Sequence, residues 1–346
     1  MTKKRTSLDL QQIQWTSLKR KKHKVNQASF AKAWKGGGAF LDFLDSLPEI
    51  LAGKEFKEIV RRITEAVLRQ KMVLLGMGAH PIKVGLNPVL IDWMEKGILK
   101  GLAINGAGAI HDLELAMIGH TSEEVDEELS KGTFGMVRET HETINQSIQE
   151  GEKEGSGIGE ALGKKILKGG FEFKHLSLLA AAQRLGIPVT VHVAIGTDIT
   201  HMGPFADGAA IGKGSLQDFR TFASLVSQLE KGVFINLGSA VILPEVFLKA
   251  LALSRNLGYP LSNLTTVNMD FIQHYRPSVN VVKRPTLKGG KGYTLIGHHE
   301  IMFPLLAAAV IENIQGSRIQ GDGKKIRHLL SIKSQKNSRS GSPDRK

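Results

Sequence analysis

Short apolar runs that stop abruptly at small or polar residues recur along the chain. Val73-Leu74-Leu75 runs into Gly76-Met77-Gly78, and Gly101-Leu102-Ala103-Ile104-Asn105 runs into Gly106-Ala107-Gly108. Residues 189–195 lead to Gly196-Thr197-Asp198, residues 233–237 to Gly238-Ser239-Ala240, and residues 264–267 to Asn268-Met269-Asp270. Runs this short and this continuously apolar predict strands buried on both faces. Tyr293-Thr294-Leu295-Ile296 predicts one more. Helical spacing fills the intervals at 39–70, 88–96, from Ile110 onward, 176–185, near 215–230 and 244–257, with a closing helix opened by Gly297-His298-His299-Glu300. Strand, glycine turn, helix, strand is the βαβ unit, whose crossovers are right-handed and whose sheet is parallel. Turns at strand C-terminal ends predict a binding crevice along that edge.

Three segments depart from this rhythm. The start, through Gly36-Gly37-Gly38, reads as an arm (1–38), although Trp15 and Trp34 imply that part of it packs. The stretch 121–168 is polar, acidic and helical, opened by a Thr121-Ser122-Glu123-Glu124 cap, and reads as a surface helical insertion or flap beside the site. A glycine-rich loop is expected over 203–214 and an irregular stretch over 274–291. Residues 39–317 then form the single α/β domain, and 318–346 a basic disordered tail.

Composition narrows the chemistry. The 346 residues contain no cysteine, which excludes disulfides, thiolate metal sites and thiol nucleophiles. The net charge of +13 lies in the tails: ten Lys/Arg against one Asp in 1–38, and nine against two in 318–346, leaving the rest about −3. Basic tails of this kind are solvated arms, so nucleic acid is expected only through them. No run is long enough to span a bilayer, and a cytoplasmic location is expected.

In this order of elements the chain resembles the deoxyhypusine synthase family. The resemblance rests on Lys71–Gly78 with Val84-Gly85-Leu86, on Gly97–Leu113 with its Gly106-Ala107-Gly108-Ala109-Ile110-His111-Asp112-Leu113 turn, on Ile187-Pro188-Val189, and on Phe303-Pro304-Leu305-Leu306. It covers about 55–312. It implies a doubly wound, mostly parallel Rossmann-like α/β sheet, NAD as cofactor, a homotetramer, and transfer of an aminobutyl-type group parked as an imine on a lysine. Arg276-Pro277 precedes the lysine in the family pattern, so Lys283 takes that role, without the family's tryptophan and two residues closer. Where the family holds its polyamine with aspartates, this chain has Gly196, His201 and, near the last helix, His298. Loss of those charges implies an amine-containing or amino-acid substrate other than spermidine.

The candidate residues follow. Lys283, His201 and His298 are the catalytic candidates. Gly76, Gly78, Gly106, Ala107, Gly108, His111, Asp112, Gly238, Ser239, Asn268 and Asp270 are placed at the cofactor, and Gly196, Asp198, Arg276, His299 and Glu300 at the substrate. No metal is expected. Two rival functions remain: a metal-dependent hydrolase or lyase built on His192, His201, His298, His299 and Asp198, and a non-catalytic nucleotide-binding protein of the same fold.

Overall fold

The apolar runs form one six-stranded sheet. In the computed structural model, which describes residues 8–320, the strands are β1 (Val73–Met77), β2 (Gly101–Asn105), β3 (Val189–His192), β4 (Val233–Leu237), β5 (Thr265–Asp270) and β6 (Lys291–Ile296). All pairs are parallel, in the order β3-β2-β1-β4-β5-β6. The register places Leu75 between Leu102 and Ile235, with Val267 beyond. This is the doubly wound Rossmann-like arrangement, and its strand order reverses between β1 and β4.

Alternation along the strands divides the core in two. Val73, Leu75, Met77, Leu102, Ile104, Ile235 and Val267 face one side, under α2 (Leu51–Leu68), α4 (Asn87–Glu95), α5 (Gly106–Ile118), α9 (Leu178–Leu185) and α12 (His299–Gln320). Leu74, Ala103 and Phe234 face the other, under α10 (Gly208–Val226) and α11 (Ile242–Asn256). There Phe234 stacks on Phe247 at 3.8 Å. The remaining α-helices are α1 (Phe40–Ser46), α3 (His80–Lys83), α6 (Val125–Lys131), α7 (Arg138–Glu154) and α8 (Ile158–Lys168).

Local chemistry moved several expected boundaries. The helix expected near 215–230 starts at Gly208, because Asp207 accepts from the amides of Ala209 (2.8 Å) and Ala210 (3.1 Å). The expected glycine loop is therefore partly helix, and a Cβ on Gly214 would lie 2.9 Å from Ile158. The third strand ends at His192 rather than Ile195. The irregular 274–291 contains a π-type turn over Pro277–Lys283, closed by the i→i+5 bond from Arg284 N to Val279 O. In the insertion, α7 and α8 bury Ile144, Ile148, Ile158, Leu162 and Ile166 in the main core, while α6 buries nothing.

The arm is exposed at Trp15 but anchored further on. Backbone bonds join Lys32 to Ser46 and Glu49 to Ser29, and Trp34 meets Phe43 edge-on at 5.8 Å. The tail assigned to 318–346 falls outside the described residues, apart from the backbone at the end of α12. No helix among the described residues is long and apolar enough to cross a membrane.

Candidate functional site

The reversal of strand order opens the C-terminal edge between β1 and β4. The turn after β1 is Gly78-Ala79-His80, and the turn after β4 is Gly238-Ser239-Ala240. Gly78 N donates to Leu237 O (3.1 Å), extending the ladder by one residue, and a Cβ on Gly78 would sit 2.3 Å from Gly238 O. Gly238 has φ +62°, and its Cβ would meet the His299 ring at 2.5 Å. Both positions need glycine because backbone and ring pass this close. The amides of Ala79, Ser239 and Ala240 make no hydrogen bond among the described residues.

Behind this edge lies a histidine pair. His299 is fully buried, and its Nδ1 is 2.9 Å from Nδ1 of His80. Its Nε2 is 3.7 Å from Asp270 Oδ1, which accepts from Phe271 N at 2.8 Å. Burial holds the His299 imidazole below its ordinary value, against the pull of Asp270. The Phe271 ring packs on His80 and His299 and stacks parallel to His298. His298 is exposed, 3.8 Å from Glu300.

The N-terminus of α5 is built differently from its glycine-rich appearance. Asn105 caps it by accepting from Gly108 N (2.9 Å), and a Cβ on Gly108 would crowd that cap. Gly106 is small because the Asp198 carboxylate lies over it; a Cβ there would be 1.8 Å from Oδ2. Burial pushes the Asp198 carboxyl up, and His201, 3.9 Å away, pulls it back. His201 Nδ1 accepts from the amides of Gly196 (3.1 Å) and Asp198 (3.3 Å), so its proton is on Nε2, toward Asp198. His201 and Gly196 (φ +96°) therefore fix the turn that carries Asp198.

A cavity of about 1080 Å³ opens beside this turn, walled by α5, the 119–123 loop, α6 and α7. Ile110, Met117, Phe134, Val137, Phe171 and Ile199 make it apolar; Glu114, Glu123, Glu139, Glu142 and Asp198 make it acidic; Lys83 is its one lysine. Glu114 accepts from Thr121 Oγ1 (2.5 Å) and Thr140 Oγ1 (3.4 Å), and Thr121 Oγ1 also contacts His111 Nδ1 (2.6 Å). Burial works to raise the Glu114 carboxyl, but His111 and Thr121 outweigh it and hold it below the usual range. Glu123 is engaged by Gly135 N and Glu142 by Arg138, while Glu139 is exposed with no partner among the described residues.

The structure does not gather all the residues chosen from sequence. Asp112 is fully buried and turned away: it accepts from Ser177 Oγ, Leu178 N, Leu179 N and Asn87 Nδ2, capping α9. Asn268 lies within the sheet face under α11, accepting from Asn236 Nδ2 (2.8 Å). Ser239 Oγ caps α11 at Leu243 N, and Gly76 makes room for the Phe234 ring. Arg276 is exposed and pairs with Glu245 (3.4 Å). Lys283 is at the far end of the π-type turn, where Val282 O packs on Gly292 near the start of β6, so it lies toward the opposite edge of the sheet. His192 is buried against Phe222 on the α10 face, its imidazole lowered to about 3 by burial. Asp198 and His201 stand 3.9 Å apart and His298 adjoins His299, but the five metal-ligand candidates do not converge, and no metal-holding group of three or more His, Asp or Glu occurs among the described residues. Sequence reasoning missed His80, Lys83, Glu114, Glu139 and Glu142. Only the acidic character of 121–168 pointed toward the last two.

No protein-family model matches the sequence, and no curated protein is significantly similar to it. Solved structures superpose on the chain only distantly. The ternary complex of AgrE with ornithine and NAD+ superposes with a TM-score of 0.48 at 15% identity, over 76% of this chain and 33% of that one. A "conserved putative LOR/SDH protein" from Methanococcus maripaludis S2 gives 0.48 at 16% identity, over 76% and 71%. A "putative deoxyhypusine synthase" from Entamoeba histolytica gives 0.47 at 11% identity, over 82% and 96%. This chain spans about a third of the AgrE structure.

Proposed function

We propose that this chain binds a nicotinamide dinucleotide across the β1/β4 edge and a short aliphatic amine in the acidic cavity, and that it transfers or oxidises that amine. The carrying observation is the cavity: apolar walls with Glu114, Glu139 and Glu142 suit a cation on a hydrocarbon chain, and repel a polyphosphate. In this reading Glu114 of α5 and Glu139 and Glu142 of α7, together with Asp198 from the turn after β3, take the place of the family's polyamine carboxylates. Because they stand elsewhere than in the resembling family, the amine they select is expected to differ from spermidine.

Fit to the dinucleotide differs between two places. At the N-terminus of α5 the Asp198 carboxylate covers Gly106 and disfavours a pyrophosphate. At the β1/β4 edge the unpartnered amides of Ala79, Ser239 and Ala240 suit one. A nicotinamide bound there supplies a hydride acceptor. The chain's own residues hold the amine at Glu114 and Glu139, and Lys83, not Lys283, is the lysine lining the cavity and the one in position to hold a transferred group as an imine.

Calorimetry tests both halves. NAD is expected to bind, and Ala79→Asp to weaken it at least ten-fold. Glu114→Gln and Glu139→Gln are each expected to weaken amine binding about ten-fold, or about 1.4 kcal/mol. Binding of neither NAD nor any of a panel of aliphatic mono- and diamines rejects the proposal.

A further inference from the structure

The buried histidine under the β1/β4 edge has a use that neither ligand site explains. Two imidazole nitrogens 2.9 Å apart share one proton, so one Nδ1 donates and the other accepts. If His299 donated, its Nε2 would turn a lone pair toward the Asp270 carboxylate inside a fully buried pocket. If His299 accepts, Nε2 carries the proton and faces that carboxylate at 3.7 Å, an electrostatic contact beyond hydrogen-bond reach. Electrostatics selects the second arrangement, in which His80 donates through Nδ1 and keeps a lone pair on Nε2. That atom has no partner among the described residues, and His80 is only half-buried.

We infer that Asp270, His299 and His80 form a proton relay that opens at Nε2 of His80 and makes His80 the general base of this site. His80 lies outside the cavity lining but opens α3, whose last residue, Lys83, lines it, so the amine would reach His80 from the Lys83 end; His299 and Asp270 position the ring. The identity of the proton donor rests on the amine reading. An ammonium N–H bond breaks, the nitrogen keeps the electron pair, and the proton forms a bond to Nε2 of His80. The resulting imidazolium donates from Nδ1 to neutral His299, with the Asp270 charge behind. Burial lowers the His299 imidazole against the pull of Asp270 and the Met269 backbone, a direction that favours the neutral ring. The other titratable groups around the Phe271 ring are His298 and Glu300, both exposed.

Nitrogen-15 spectra of ring-labelled histidines in the full chain decide the tautomers, with His80→Gln and His299→Gln spectra as assignment references. The expected result is Nε2–H on His299 and the less common Nδ1–H on His80. Asp270→Asn is expected to abolish that preference and to slow acylation of His80 by diethyl pyrocarbonate at least five-fold, with exposed His120 as internal reference. Nε2–H on His80 in the wild type overturns the relay, as does an unchanged His80 tautomer and acylation rate in a folded Asp270→Asn. If that variant fails to fold, the wild-type tautomers alone decide. Neither readout uses amine or dinucleotide, so failure of the amine reading is separately visible in the calorimetry.

Discussion

Two buried aspartates carry much of the local order, and both hold their charge at a cost. Asp112 takes four donors to tie α5 to the start of α9, and burial still pushes its carboxyl up to about 6. Asp218 on α10 accepts from Gly159 N (3.0 Å) and Val191 N (2.8 Å), and burial pushes it up to about 7. A carboxyl whose folded value exceeds its unfolded value of about 3.9 favours folding in its protonated form. Its contribution is therefore full below about pH 4 and declines as pH rises toward 7. Asp218→Asn keeps an acceptor oxygen but does not ionise. Denaturant midpoints of wild type and variant are expected to move in the variant's favour between pH 4 and 7 and to run parallel above pH 8. A constant difference across that range would show that Asp218 does not titrate there. At this scale sequence was a poor guide. Asp112 follows a glycine turn and looks like a ligand, yet its donors at 177–179 lie some 65 residues away.

At the scale of elements, the N-terminus of α5 shows how a turn can be chosen for a reason other than a ligand. Gly106-Ala107-Gly108 has the small residues of a phosphate turn, and the chain correctly shows a strand ending and a helix beginning. What it cannot show is that Asp198, carried in from the turn after β3, rests on Gly106. Gly106→Ala is expected to displace Asp198 and cost about 1–3 kcal/mol, as overpacking does. Asp198→Ala removes the obstruction. The double variant is expected to recover at least about 1 kcal/mol relative to additivity in a denaturation cycle; strict additivity would mean that the two do not touch. The same logic accounts for His80 and His299. They are 219 residues apart, and only the return of α12 to the sheet edge brings them together.

For the whole molecule, the sheet was legible because a parallel strand buried on both faces leaves an apolar run that little else produces. The crevice edge follows from the glycine turns at strand ends, whereas the order of strands came only from the family resemblance, because the connection from β2 to β3 runs through five helices. The cavity was not legible, since its walls come from α5, α6, α7 and two loops whose acidic residues look like ordinary solvent-facing charge. The arm is the converse case: its first 3-10 turns bury nothing, and its anchorage begins at Ser29 and Lys32. Removing residues 1–26 is expected to leave the thermal midpoint within about 2 °C, whereas Trp34→Ala, which strips the edge contact with Phe43, is expected to lower it measurably by calorimetry.

The outer margin of β3 has a further consequence, for how copies of this chain can meet. Val191 N is taken by Asp218, Val193 N points to Ser215 Oγ at 3.4 Å, and the α8 backbone at Gly159 packs against Val189 O so tightly that a Cβ would lie 2.2 Å from it. An open sheet margin invites another strand to zip onto it, and here the invitation is withdrawn by side chains and helix backbone together. Assembly of copies therefore cannot proceed by continuing the sheet past β3; of the two sheet margins only that of β6 is left to a strand.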